Sequence, residues 1–159
     1  MQKGTLKMTG IIYIEVGEQG LDRIKPLWEK LMAHIKVRST YFSKWFEART
    51  FEQRKAELLR KAAEGKLRID LAIDEKQDIG YCVSSISHRI GEIDSIFVEE
   101  SHRSSGIGNE LMKRALSWME AEHVDSIKIA ASIGNEEVLP FYHRYGFLPK
   151  HILLESKKE

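Results

Sequence analysis

The chain predicts an α/β layered fold, a mixed central sheet of about six to seven strands flanked by about four helices. Three observations carry this. Segments of two-residue apolar alternation trade places along the chain with segments whose apolar residues recur at helical spacing. Three strand patterns between residues 67 and 98 follow one another with short links, as in an antiparallel meander. Beyond them, strand patterns twice run through a small-residue turn into a helix, which is the local signature of layered α/β packing.

In chain order, I-I-Y-I-E-V at 11–16 alternates as a strand. Residues 21–38 and 44–64 read as two helices. In the first, Leu21, Ile24, Leu27, Trp28, Leu31 and Ile35 form one stripe; in the second, Trp45, Ala48, Phe51, Ala56, Leu59 and Ala63 do so less cleanly, and Gly65 ends it. The segments 67–74, 78–88 and 91–98 are the meander. The helix 104–123 buries Ile107, Leu111, Ala115, Leu116 and Met119. Strand 126–133, helix 136–145 and strand 147–156 complete the fold.

Composition supports one domain spanning 1–159. At 42% hydrophobic and 31% charged residues the chain lies in the globular range. A net charge of +1 without a dense basic stripe gives no reason to invoke nucleic acid. No apolar run of membrane-spanning length exists, so no membrane partner is expected. The N-terminus M-Q-K-G-T-L-K-M-T-G lacks the apolar centre of a signal peptide. The lone Cys82 excludes an internal disulfide and fits a cytoplasmic location. The histidines at 34, 88, 102, 123, 143 and 151 are scattered without ligand spacing, so no metal is expected.

The densest signal is the turn from Arg103 through Ser104, Ser105, Gly106, Ile107 and Gly108 to Asn109. It joins G-E-I-D-S-I-F-V to an amphipathic helix. Tight glycine turns aim several N–H groups at one point, and the helix adds unpaired amides and the positive end of its dipole. That is a site for phosphate or pyrophosphate. No Lys-Ser or Lys-Thr follows, so it is not a P-loop. Leu111 stands where a dinucleotide fingerprint needs its third glycine. Downstream, G-N-E-E-V-L-P-F-Y-H-R-Y-G-F at 134–147 offers Asn135 as a helix opener, then Tyr142 one turn before Gly146 and Phe147.

R-x-x-G-x-G between strand and helix, followed by this Asn…Tyr…Gly-Phe segment, resembles the GNAT superfamily of acyl-CoA-dependent N-acyltransferases. The resemblance covers about residues 67–158. Ser104 stands where many members have Gly, and Val138 where many have a small residue. Pro140 falls inside the expected last helix, which should therefore start later or kink.

The resemblance implies acyl transfer from the thioester of acetyl-CoA to an amine by direct attack in a ternary complex. It assigns the pyrophosphate to Arg103, Ser104, Ser105, Gly106, Ile107, Gly108 and Asn109, with Arg103 equally readable as a solvated loop residue. Backbone amides at Ile96, Phe97 and Val98 would hold the acetyl carbonyl and the pantetheine. Asn135 would bond the pantetheine arm or cap its helix. Glu92 is the expected catalytic base, with Asp94 as the fallback; two apart on a strand, they should share a face with Ile96 and Val98. Tyr142 is the expected catalytic acid toward the leaving thiolate, acting near the ordinary phenol pKa of about 10.

The acceptor is expected to be a small-molecule amine, with a protein amine as the other option. His34, Tyr41, Phe42, Trp45 and Phe46 could line its pocket, or belong to core or to a homodimer surface. Acidic residues in 44–64 are outnumbered by lysines and arginines, which disfavours polyamines and favours an amine with an apolar or anionic part. Two other classes fit the same fold: a catalytically weak acyl-CoA sensor and a non-enzymatic interaction protein.

Overall fold

Strand pairing organises the molecule, a computed structural model that describes residues 10–157. The segment 1–9, read above as lacking a signal-peptide centre, lies outside the described residues. Five strands form one sheet in the order β1 (Ile12–Val16), β2 (Lys66–Asp74), β3 (Gln77–Ser87), β4 (Ile90–Val98) and β5 (Ser126–Ile129). β1 to β4 pair antiparallel, and β5 joins β4 in parallel over only Ile90–Ile93 against Ser126–Ile129.

Each face of the sheet carries its own apolar cluster. On one face Leu21, Ile24, Leu27 and Trp28 pack with Phe51 and Leu58 against Ile69, Leu71, Tyr81, Val83 and Phe97. These come from helix α1 (Lys25–Arg38), the 3₁₀ segment Glu18–Ile24 before it, and helix α3 (Phe51–Glu64). On the other face α4 (Ile107–Ala121) sets Ile107, Leu111, Met112, Ala115 and Met119 against Ala72, Ile79, Cys82, Ile86 and Ile93. Tyr142, from the short α5 (Leu139–His143), joins this second cluster.

Several expected elements differ in extent. The helix expected at 44–64 is two, α2 (Ser43–Ala48) and α3, because Thr50 opens a new helix. Its hydroxyl accepts from Gln53 N–H at 3.2 Å, and Gln53 Oε1 accepts from Thr50 N–H at 3.0 Å, a reciprocal capping box. The helix expected at 136–145 is a 3₁₀ turn, Glu136–Val138, followed by α5. Pro140 therefore falls in the first turn of α5, where a missing N–H costs no helical bond. Six or seven strands were expected and five form among the described residues: the expected strand 147–156 pairs with no described strand. Pro149 cannot donate to a ladder, and Leu148, Ile152, Leu153 and Leu154 remain exposed.

Candidate active site

The site begins with a count mismatch. Val83 of β3 pairs with Ser95, whereas Ser84 pairs with Ile93, so Asp94 is an extra residue on β4. A β-bulge of this kind turns two successive side chains toward one face. Glu92, Asp94 and Ser95 consequently look toward α3: Lys61 bonds both carboxylates, and Ser95 Oγ lies 2.7 Å from the Tyr81 hydroxyl. The expectation that Glu92 and Asp94 share a face with Ile96 and Val98 is corrected here. Beyond the bulge the alternation is displaced, so Phe97 joins the α1/α3 cluster while Ile96 and Val98 pack toward α4.

The bulge follows directly on the end of the β4–β5 contact. The last parallel pair is Ile93 with Ile129, and from residue 94 onward β4 is paired on its β3 side alone. Backbone groups of the 94–98 segment that face β5 thus border a gap rather than a ladder. Ile96, Phe97 and Val98, expected to offer backbone amides, lie along it.

α3 holds the bulge by two cations. Arg54 donates to the Asp94 carbonyl at 2.7 Å and to Glu57 at 3.1 Å. Lys61 donates to Glu92 Oε2 at 2.8 Å and to Asp94 Oδ1. Desolvation works against the Lys61 charge, but its two carboxylate partners outweigh this and hold the ammonium above its usual range. Asp94 is the more perturbed acid. Its side chain is 0% exposed, and Oδ2 has no hydrogen-bond partner among the described residues. Burial pushes its pKa up; Lys61 and Ser85 pull against the rise, and the charge of Glu92 adds to it. Glu92 is 26% exposed and opens into a groove of about 240 Å³ between the end of α3 and the β3–β4 turn.

The glycine turn sets a left-handed backbone at the start of α4. Gly106 has φ +80° and precedes α4. A Cβ there would meet nothing within 4 Å, so the turn needs glycine for its backbone angle and not for room. Ser104 holds φ +65° without being glycine. Ser105 Oγ donates to the His102 carbonyl at 2.5 Å, tightening the loop. The first bond of the α4 ladder runs from Glu110 N–H to the Gly106 carbonyl at 3.0 Å. The amides of Ile107, Gly108 and Asn109 therefore precede the ladder and face out of the helix start. Ile107 gives only its amide, since its side chain is core. A Cβ on Gly108 would meet Phe141 at 3.4 Å, an ordinary van der Waals contact, so α4 and α5 lie side by side there without requiring glycine. Arg103 folds back, donating to the Val98 carbonyl at 3.0 Å with its guanidinium 5.3 Å from the Phe97 ring centre. Arg103 is thus tethered to β4 while its residue stays exposed beside the glycine turn.

Tyr142 is buried between α5 and the sheet. Burial, with the neighbouring Cys82, pushes its phenol up to about 12, not the ordinary value expected. Cys82 itself is raised by burial and stays a neutral thiol. Tyr145 is committed elsewhere, donating to Asn109 Oδ1. Asn135 is buried, but its side chain caps no helix; Glu136 instead accepts the Gly134 N–H at 2.8 Å. The aromatic group at 41–46 does not gather at the bulge: Tyr41 and Trp45 are exposed, and Phe46 lines a separate groove of about 400 Å³ between α1 and the α2–α3 segment. His34 reaches Glu137 at 2.5 Å, while Arg38 contacts its other ring nitrogen at 3.1 Å. Arginine can only donate, so Nδ1 accepts and Nε2–H donates to Glu137. Sequence reasoning missed Lys61 and Arg54; their helical spacing of seven on α3 marks one face, but nothing local ties that face to β4. Among the described residues no group of His, Cys, Asp and Glu is arranged to hold a metal ion.

Known proteins resemble this chain in sequence pattern and fold. The model of the acetyltransferase (GNAT) family matches residues 29–147. The uncharacterised N-acetyltransferase MJ1207 of Methanocaldococcus jannaschii is 29% identical over 72 residues, 45% of this chain; the match spans only 32% of that relative. The PaiA N-acetyltransferase of Thermoplasma acidophilum, solved with coenzyme A, superposes with a TM-score of 0.73 at 16% identity, covering 89% of this chain and 91% of that one. An aminoglycoside N-acetyltransferase solved with CoA gives 0.65 at 15% identity, covering 94% and 95%. At these identities the two structures speak for the fold.

Proposed function

The chain belongs to the acetyltransferase (GNAT) family, and from that membership we propose that it moves an acetyl group from acetyl-CoA to the amine of a small molecule. The observation that carries the proposal is the parting of β4 from β5 after Ile93, with the amide-lined turn 104–109 following on the same strand. A strip of unpaired backbone leading to a helix N-terminus suits a long amide-bearing thiol ester that ends in phosphates. Two of the solved relatives carry CoA.

The thioester brings an already activated acyl carbon, so the chain need not supply a nucleophile. Its tasks are to bind, to take one proton and to return one. The acceptor arrives as an ammonium and must lose a proton before its nitrogen can form the C–N bond. Glu92 and Asp94, joined by the Lys61 ammonium, are the group to take it. Glu92 is the arm open to solvent, and the buried Asp94 shares the same Lys61 ammonium. Backbone amides of β4 beyond the bulge stabilise the oxyanion of the tetrahedral intermediate. When the C–S bond breaks, Tyr142 is the donor to the departing sulfur. Its burial keeps the proton on at any working pH and also makes it a reluctant acid, so donation must be nearly concerted with sulfur departure.

Thiol release from acetyl-CoA with a panel of amines tests this directly. Amine-dependent release that disappears in a Glu92→Gln, Asp94→Asn double variant, with CoA binding retained, is expected. Undiminished release from that variant would remove both carboxylates from the mechanism.

A further inference from the structure

The groove at Glu92 has a charge pattern that defines an acceptor. Its walls include Lys61, Glu64 and His88, with Ile86 and Ile90 as apolar surface and Glu92 and Lys128 facing each other across the β4–β5 pair. Lys61 is fully engaged, bonded to two carboxylates. Lys128 is not: it is 67% exposed, and its contact with Glu92 Oε2 is long, at 3.9 Å. Both lysines approach Glu92 through Oε2, and no described side chain hydrogen-bonds to Oε1. A carboxylate oxygen and an ammonium are thus both available to a ligand, about one ion-pair length apart.

We infer that this groove takes a zwitterionic acceptor, an amino acid or an amine with a carboxylate on a neighbouring carbon. The inference rests on the acetyl-transfer reading above. The acceptor ammonium pairs with Glu92 Oε1, its carboxylate pairs with Lys128, and its side chain lies along Ile86 and Ile90. Glu92 is two residues from the bulge on the same face, roughly 7 Å along the strand. The bound nitrogen is therefore one pleat from the start of the gap. A polycation would instead set a second positive charge against Lys61 and Lys128. A neutral alkyl amine would leave Lys128 unused.

Matched sets of amino acids, their carboxamides and the corresponding alkyl amines separate these cases. With parent protein, kcat/KM from thiol release should favour the free acid over its carboxamide by about tenfold or more, one well-placed ion pair. Lys128→Glu should reverse that ratio, Lys128→Met should bring it near unity, and Lys128→Arg should preserve it. Lys128 is an exposed strand residue, so these variants should fold. Equal use of acid and carboxamide, or a ratio unmoved by Lys128→Glu, overturns the groove assignment while leaving acetyl transfer intact. Thermal shift of the CoA-loaded protein by the same compounds covers the opposite case. Amino-acid binding that depends on Lys128, without thiol release, would keep the groove and overturn the transfer reading.

Discussion

Three residues, Asp94, Tyr142 and Gly106, each make a separate prediction. Asp94 is an acid whose folded pKa lies above its unfolded value because burial disfavours the anion. Such a group favours the fold fully at low pH, and that contribution is lost as pH rises through the folded pKa. Asp94→Asn should therefore raise the melting temperature at neutral pH, with the gain vanishing in acid, while turnover falls. A lower neutral melting temperature would show that the Lys61 contact outweighs desolvation. Tyr142, at about 12, should produce no basic limb in a kcat profile below pH 10. Tyr142→Phe should cut turnover by about ten- to a thousandfold with CoA affinity nearly unchanged. Steady-state kinetics beside a CoA titration reads both numbers, and unchanged turnover would transfer the role to another donor. Gly106→Ala should cost about 1 kcal/mol through its left-handed backbone alone, since its methyl meets open space. Gly106→Asp should add a carboxylate at the phosphate cradle and abolish the thermal shift by CoA; parent-like affinity would refute the cradle.

Elements differ in how far the sequence reveals them. The glycine turn and the stop at Gly146 were legible because their requirement is local, a left-handed backbone angle at each glycine, whereas Asn135 caps no helix because a 3₁₀ turn follows it. The break between α2 and α3 was missed, because the apolar stripe that runs across it hides the capping-box pattern Thr50-x-x-Gln53. The bulge was not legible. It arises from pairing with β3, and no residue within β4 announces that Asp94 will be the extra one. For the same reason the strand rule put Ile96 and Val98 on the wrong face. The segment 147–156 shows the converse, a strand pattern without a neighbour to complete it. α3 links stability to the site, because its capped start carries Arg54 and its last turn carries Lys61. Thr50→Ala should cost about 1 kcal/mol, roughly 2–4 °C in a chain of this size. Gln53→Ala should lose part of the same increment. A double variant no worse than Thr50→Ala alone would show that the two bonds act as one cap, readable in a thermal melt.

At the scale of the whole molecule, the sheet is a partition between two apolar clusters, one packed under α1 and α3 and one backing α4 and Tyr142. A ligand that binds only the folded form adds stability by mass action, about 2.7 kcal/mol at a hundred times its Kd. CoA should therefore raise the melting temperature in a concentration-dependent way. No shift across a wide range would argue that the gap does not accept it. The short parallel contact between β4 and β5 has a mechanical meaning. Four residue pairs act as a hinge, and the gap beyond them is a jaw whose second arm is the loop after β5. That arm is braced from the far side. A Cβ on Gly134 would lie 2.2 Å from the Arg38 carbonyl, and Glu137 is tied to His34 on the same helix. The spacing of the gap is thus gauged by α1, which packs on the α3 face of the sheet. Loosening the brace by His34→Ala should alter how tightly CoA is gripped, although His34 is remote from the glycine turn in sequence and belongs to the opposite layer. A helix that lines neither the glycine turn nor the Glu92 groove would in this way set the grip on CoA.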